Sequence, residues 1–308
     1  MGNKKKILIP GGTGFIGYHL CLFFKKKNWV VHSVSKTKPK ANRRIKGIKY
    51  IYCDVTDRKN LKKKLHRYYD YIVNLSGYVD HSKSKSIKKV HFDGCKNLVF
   101  NFQAKRPKKF IQIGSSIEYG KLRSPNIENN ENTQKTFSVY GKAKLMSTKY
   151  LLNLKKKFDF PVTILRPYLI YGPRQDLNRI IPIVITNAID DKIFDCSDGK
   201  QLRDFLYIDD FVEAIYKSLI NKKNIGEIVN VGYGKPTKIK NVIIKICKII
   251  GSGTPKFGKI KLRKDETYKL YPDISKARRL LKWKPKIKLN LGLKRTIKFY
   301  KQSNEKKS

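Results

Sequence analysis

The sequence predicts an α/β fold, a doubly wound parallel sheet with a smaller C-terminal lobe. Three observations predict it. The glycine turn GGTGFIG at residues 11–17 stands between the apolar run Ile7-Leu8-Ile9 and an apolar stretch from Phe15 to Phe24. Short continuous apolar runs then alternate with segments of helical spacing as far as about residue 170. Strands buried on both faces read as continuous apolar runs, and right-handed crossovers put helices on both sides of such a sheet. Beyond that point the alternation gives way to loop-like stretches such as YGPRQ and CSDGKQ.

The elements follow in order. Lys6–Pro10 is the first strand, and the glycine turn leads from it into a helix. Gly11 permits the tight turn, Gly14 leaves backbone open to a pyrophosphate, and Gly17 lets the helix pack on the strand. Thr13, Phe15 and Ile16 complete this loop, and the helix N-terminus offers free N–H groups to an anion. Further strands are expected at Trp29–Val34, Ile48–Cys53, Tyr71–Leu75, Phe110–Gly114 and Val162–Arg166, with helical segments at 15–27, 57–67, 85–104 and 138–157. Gly11, Ser35, Asp54, Ser76 and Ser115 follow strand ends, so they are expected to line one crevice at the carboxyl edge of the sheet. In the second half, 211–220 and 241–250 read as helices, 227–232 as a strand, and the C-terminal part as two helical pieces around the Trp283–Pro285 turn. Residues 1–170 are therefore expected to bind a dinucleotide, with segments near 203–235 returning to that domain. Residues 171–308 are expected to form mainly a substrate-binding lobe.

Composition narrows the function. The 308 residues carry 70 Lys+Arg against 23 Asp+Glu, a formal charge of +47. Lysine is scattered from end to end, without an arginine-rich tail or an aromatic-interleaved basic module, and reads as a bias over solvated faces. It predicts salt-sensitive adhesion to polyanions. A nucleic-acid-binding protein on this same scaffold is the alternative from another class. No apolar run spans a bilayer, and MGNKKKILIP has neither a signal-peptide core nor, with Lys6, a myristoylation motif. Five scattered cysteines without a CxxC pair predict reduced thiols, a cytoplasmic location and no metal site.

SVYGKAK at 138–144 places Tyr140 and Lys144 four residues apart, on one face of a helix. A nearby ammonium is expected to lower the phenol's pKa, and the same lysine can reach a nicotinamide ribose. Ser115, after the strand FIQIG, supplies a hydroxyl to hold a substrate oxygen beside Tyr140.

With these motifs in order, the sequence resembles the extended short-chain dehydrogenase/reductases of the nucleotide-sugar epimerase, dehydratase and reductase superfamily, over essentially its whole length. GGTGFIG resembles the family's cofactor loop, CDVTD its adenine contact at Asp54 and Val55, and VNLSG the cofactor-side segment Leu75, Ser76 and Gly77. GSSIEYG resembles the catalytic serine segment and SVYGKAK the Tyr-x-x-x-Lys. ILRPYLIYGP, QLRDFLYIDD, NVGYGKPTKI and YPDISKARRLLKWKP resemble later blocks.

The resemblance implies a Rossmann-like sheet, a homodimer, and hydride transfer at carbon 4 of a nucleotide sugar. Tyr140 would be the acid/base, Lys144 its ribose-binding partner and Ser115 the orienting hydroxyl. Ser116, Arg203 and Arg263 would contact substrate, the arginines at the diphosphate. Ser116 and Ile117 stand where dehydratases carry Asp-Glu, so water elimination is not expected. Leu169 replaces a frequent asparagine, and His91 stands where many relatives have another. No acidic residue precedes Asp54, and the second strand runs into Ser35 and Lys36, with Lys38, Arg43 and Arg44 beyond. A hydroxyl and cations there suit a 2′-phosphate, so NADP is expected over NAD. The preferred reading is a 4-keto-6-deoxy-sugar reductase, and the alternative is an NAD-dependent 4-epimerase.

Overall fold

The computed structural model describes residues 4–65, 68–77, 84–128, 138–262 and 266–305. The first half runs β1 (Lys6–Pro10), α1 (Phe15–Lys26), β2 (Val30–Ser35), β3 (Lys49–Tyr52), α2 (Arg58–Lys64), β4 (Tyr71–Asn74) and α3 (Ser84–Lys88). A π-helical turn, Lys89–Asp93, leads into α4 (Gly94–Phe102), and β5 (Lys109–Ile113), α5 (Val139–Phe158) and β6 (Val162–Pro167) follow. The second half holds β7 (Leu169–Tyr171), α6 (Ile180–Ile189), β8 (Ile193–Asp195), β9 (Leu202–Arg203), β10 (Phe205–Tyr207), α7 (Ile208–Ile220) and β11 (Ile228–Val231). It ends with β12 (Thr237–Lys238), α8 (Ile239–Ile250), β13 (Thr254–Lys256), β14 (Lys269–Leu270), α9 (Ser275–Leu281) and α10 (Leu289–Glu305).

The main sheet has seven parallel strands in the order β11-β6-β5-β4-β1-β2-β3, the reversal at β1 marking the switch point where such sheets bind ligands. Successive side chains of a strand face opposite sides. Accordingly Ile7 and Ile9 join the core under α1 and α7 with Leu20, Phe24 and Phe211, whereas Leu8 joins the core under α2, α4 and α5 with Leu61, Phe102 and Leu151. β11 arrives from late in the chain and pairs with β6, Ile228 opposite Ile164 and Val231 opposite Pro167. Short strands organise the rest: β7 with β10, β9 between β12 and β14, and β8 with β13. Trp283 is buried after α9 and donates Nε1–H to the Asp210 carbonyl at 3.1 Å.

Part of the positive charge has a local structural use. Lysines close the last turns of α1, α2 and α5, where the helix dipole favours cations. Among the described residues no helix is long and apolar enough to cross a membrane.

The glycine-loop half is tied to the segment after β7. Arg43 is buried and donates to the Arg174 carbonyl at 3.1 Å and to Asp176 at 3.0 Å. His19, on α1, hydrogen-bonds the Pro173 carbonyl through Nε2 at 2.9 Å. Burial, helped by the nearby Arg174 and Arg43 charges and opposed by that hydrogen bond, pushes His19 down to about 4. The folded protein therefore binds fewer protons at this site than the unfolded chain between about pH 4 and 6.5. The resulting stability is present above pH 6.5 and is lost as pH falls toward 4, by roughly 3 kcal/mol across the window. A His19→Gln variant is expected to lack that contribution. Urea unfolding of both proteins at several pH values checks it, a constant difference between them contradicting the assignment.

Candidate active site

The glycine loop lies where β1 meets α1, and its glycines differ in what they do. Gly11 has φ +81°, and a Cβ there would lie 2.6 Å from the Leu75 carbonyl group. A Cβ on Gly17 would lie 2.3 Å from the Gly11 oxygen. At Gly14 a Cβ would meet only that oxygen, at 3.3 Å, so the absent side chain keeps the loop's outer approach clear. Gly14 is the N-cap of α1; no side chain caps this terminus and no acidic residue lies in the first turn. The Gly14 N–H is held by the Gly11 carbonyl at 3.1 Å, and the first N–H groups of α1 have no side-chain cap, which fits the pyrophosphate of a dinucleotide. Phe15 and Ile16 open the helix, half-buried against the core. Gly12, which the sequence did not single out, packs on the neighbouring strand, a Cβ lying 2.4 Å from Ser33 Oγ.

The adjoining strand ends gather around this loop. Thr13 N–H points to Ser35 Oγ at 3.4 Å, and that hydroxyl donates to the Val34 carbonyl at 2.7 Å. Lys36 pairs with Asp54 at 3.3 Å. Burial would raise the Asp54 carboxyl, but two hydrogen bonds from Thr56 and the Lys36 ammonium outweigh it and hold the group below its ordinary range. Val55 is buried against Gly94. Leu75 N–H bonds the Pro10 carbonyl, and Ser76 bonds the Asn74 side chain. Gly77 has φ +132°, and a Cβ would fall 1.9 Å from the His91 ring. Arg43 is not part of this group, because the Arg174 carbonyl and Asp176 hold its guanidinium.

Ser115 follows β5 and opens a 3₁₀ turn, Ser116–Tyr119. Its Oγ accepts from Ile117 N–H at 3.3 Å and its own N–H donates to Glu118 Oε1 at 2.7 Å. Tyr140 sits in the first turn of α5, which Ser138 caps by accepting from Gly141 N–H at 3.0 Å. The structure brings the three expected groups together. The Tyr140 hydroxyl hydrogen-bonds Ser115, its ring meets His91 edge-on at 5.1 Å, and Lys144 Nζ lies 5.9 Å from the ring centroid.

The electrostatics depart from the simple expectation. Burial pushes Tyr140 up to about 12, opposed by the Ser115 hydrogen bond and the Arg179 charge and reinforced by Glu118. Lys144 does not lower it as expected: its ammonium turns away to the Ile113 carbonyl, 2.7 Å distant. Burial likewise pushes Lys144 down to about 8, against the Glu118 charge.

Glu118 and Arg166 are the site residues that sequence reasoning missed. Both are fully buried, and Arg166 Nη2 meets Glu118 Oε2 at 2.9 Å. Ser116 is buried and Ile117 half-buried, so the first acid after Ser115 points into the core. Arg203 is also largely buried and committed, to Glu266 and to the carbonyls of Leu202, Thr267 and Tyr268. Arg263 lies outside the described residues. Leu169 is exposed at the start of β7. Among the described residues no cluster of metal-ligating side chains occurs.

The model of the NAD dependent epimerase/dehydratase family matches residues 7–232. The chain is 30% identical to a UDP-N-acetyl-alpha-D-glucosaminuronate decarboxylase of Bacillus cytotoxicus, over 97% of this chain and 98% of that one. Among solved structures it is similar to a UDP-glucose 4-epimerase of Thermotoga maritima with UDP-glucose, with a TM-score of 0.88, 25% identity and coverage of 97% and 99%. It is also similar to a UDP-glucuronic acid 4-epimerase of Bacillus cereus in complex with UDP-glucuronic acid and NAD, with a TM-score of 0.85, 28% identity and coverage of 97% and 99%.

Proposed function

Because the chain belongs to the NAD dependent epimerase/dehydratase family, we propose that it exchanges hydride at carbon 4 of a nucleotide sugar, as a 4-epimerase. Residues 1–170 with β11 hold the dinucleotide and the C-terminal lobe holds the nucleotide sugar. The observation that carries this reading is the meeting of Ser115, Tyr140 and Lys144 at the sheet's carboxyl edge, with the Glu118 carboxylate turned inward onto Arg166. The set can move a proton at a sugar hydroxyl, and among the described residues Glu118, the acid of the Ser115 turn, is buried against Arg166 rather than turned out to expel water. The neighbouring 4-epimerases, which match nearly whole chain to whole chain, support inversion as the outcome.

When bound, a nicotinamide dinucleotide supplies the hydride exchange. Gly14 and the α1 N–H groups would hold its pyrophosphate on the turn that Gly11 and Gly17 shape; Asp54 and Val55 would contact its adenine, and Leu75, Ser76 and Gly77 would lie along the cofactor. Tyr140 exchanges a proton with the oxygen on carbon 4, and Ser115 steers that oxygen through the hydrogen bond it shares with Tyr140. Lys144 stays cationic at neutral pH and offers a donor to a ribose hydroxyl. Ser116, Arg203 and Arg263 belong to the substrate side of this proposal.

One observation favours a second reading, the reduction of a 4-keto-6-deoxy sugar with NADP. β2 ends in Ser35 and runs into Lys36, with no acidic residue at its own end to accept from an adenosine ribose; the Asp54 carboxylate that pairs with Lys36 follows β3. Lys36→Gln is expected to weaken NADP about tenfold and leave NAD within about twofold, the loss of one charge-assisted bond. Calorimetry with both cofactors checks this, and equal effects on both would remove Lys36 from the 2′-phosphate. The two functions separate in one experiment: UDP-glucose, UDP-glucuronic acid and a 4-keto-6-deoxy nucleotide sugar are incubated with NAD or NADPH, and the products are resolved by chromatography and mass. An isomer of equal mass without net cofactor use supports the epimerase. One NADPH consumed per product supports the reductase. No conversion of any of them overturns the proposal.

A further inference from the structure

Building on that reading, we propose that Glu118 is a positioning residue: its buried carboxylate locks Ser115 to the helix that carries Tyr140 and Lys144. Three elements meet on this one side chain. Oε1 accepts from the Ser115 N–H at 2.7 Å. Oε2 accepts from Thr148 Oγ1 on α5 at 2.8 Å, and from Arg166 on β6 through Nε at 3.0 Å and Nη2 at 2.9 Å. Tyr140, Lys144 and Thr148 are spaced by four, so they form one row along α5. The carboxylate therefore sets the serine's backbone and the acid/base row from a single point. Gly114 makes room for it, since a Cβ there would lie 2.4 Å from Oε1.

Stability alone does not explain such a group. A buried ion pair loses two hydration shells, and apolar residues of similar shape generally hold a fold as well or better. This pair is fully buried, and Arg166 also lies over the Tyr119 ring at 4.6 Å, whose hydroxyl donates to Asn230 on β11 at 2.8 Å. What the pair adds is direction, because a carboxylate shared among a backbone N–H, a hydroxyl and a guanidinium admits one arrangement. Its charge also reaches the reacting groups. Among the described residues, the charged and titratable groups facing Tyr140 are Glu118, Arg179, Lys144 and His91, and Glu118 favours the protonated forms of both Tyr140 and Lys144.

Glu118→Gln is the test, with Thr148→Val as a second variant that removes one arm of the bridge and leaves the ion pair. For Glu118→Gln the expected result is a kcat at least about tenfold lower, with KM and NADH affinity by fluorescence within about threefold. The pH profile of kcat should move to lower pH, and exchange of the Ser115 amide by NMR should quicken. Thr148→Val should lower kcat a few-fold at unchanged KM, also with faster Ser115 exchange, and it carries the test if Glu118→Gln does not fold. Wild-type kcat, pH profile and Ser115 exchange in a folded variant would overturn the proposal. If the wild type converts none of the nucleotide sugars named above, the functional reading fails by itself. Ser115 amide exchange then decides the role of Glu118, faster exchange supporting it and wild-type exchange overturning it.

Discussion

Tyr140→Phe is expected to lower turnover by roughly 100-fold or more while leaving NADH affinity near that of the wild type. The substitution removes one oxygen. The ring keeps its edge-on contact with His91, and the surrounding helix keeps its Ser138 cap. What disappears is the hydroxyl that bonds Ser115 and that, in the proposed reaction, exchanges the proton at carbon 4. Lost acid/base catalysis has that scale. Because burial holds the phenol near 12, Tyr140 is protonated at neutral pH, and the reductive direction draws on its ordinary form. Single-turnover kinetics with the converted sugar, alongside NADH titration, measures both quantities. A variant with wild-type turnover would remove Tyr140 from the chemistry.

Gly14→Val is expected to abolish measurable cofactor binding, a loss of about 100-fold or more, in a protein that still folds. The forecast rests on the contrast among the glycines. A side chain at Gly17 collides with backbone 2.3 Å away, so valine there threatens the fold. At Gly14 the backbone has φ −75°, which any residue adopts, and a Cβ meets one oxygen at 3.3 Å. The branched side chain instead covers the α1 N–H groups. Two charge-assisted hydrogen bonds lost to a pyrophosphate correspond to roughly 3–6 kcal/mol. Thermal unfolding near that of the wild type together with unchanged NADH titration would contradict the assignment of this loop.

The parts of this protein that depend on local pattern were legible in its sequence. Strands from Lys6 to Pro167 declared themselves as apolar runs, and the glycine spacing marked the turn into α1. Tyr140 and Lys144 announced a shared helical face by their spacing alone. The parts that depend on distant neighbours did not. Glu118 and Arg166 are 48 residues apart, and each reads as one more charge in a chain where three residues in ten are charged. Only the meeting of β5, α5 and β6 makes them partners. Arg43 looked like one of several cations near β2, yet folding spends it on the segment after β7. The expected lowering of Tyr140 failed for the same reason: spacing shows that an ammonium is near, but not that it turns to Ile113 or that burial is the stronger influence.

The late arrival of β11 has a consequence for biosynthesis. Until Ile228–Val231 has been translated, β6 is the open edge of a six-stranded parallel sheet, and its backbone groups from Val162 to Pro167 lack their final partner. An apolar parallel edge of that kind invites pairing with another nascent chain. The ribosome must therefore deliver α6, α7 and the short strands between them before the sheet is sealed, and a chain broken off before Ile228 would carry a nearly complete dinucleotide fold with an adhesive border.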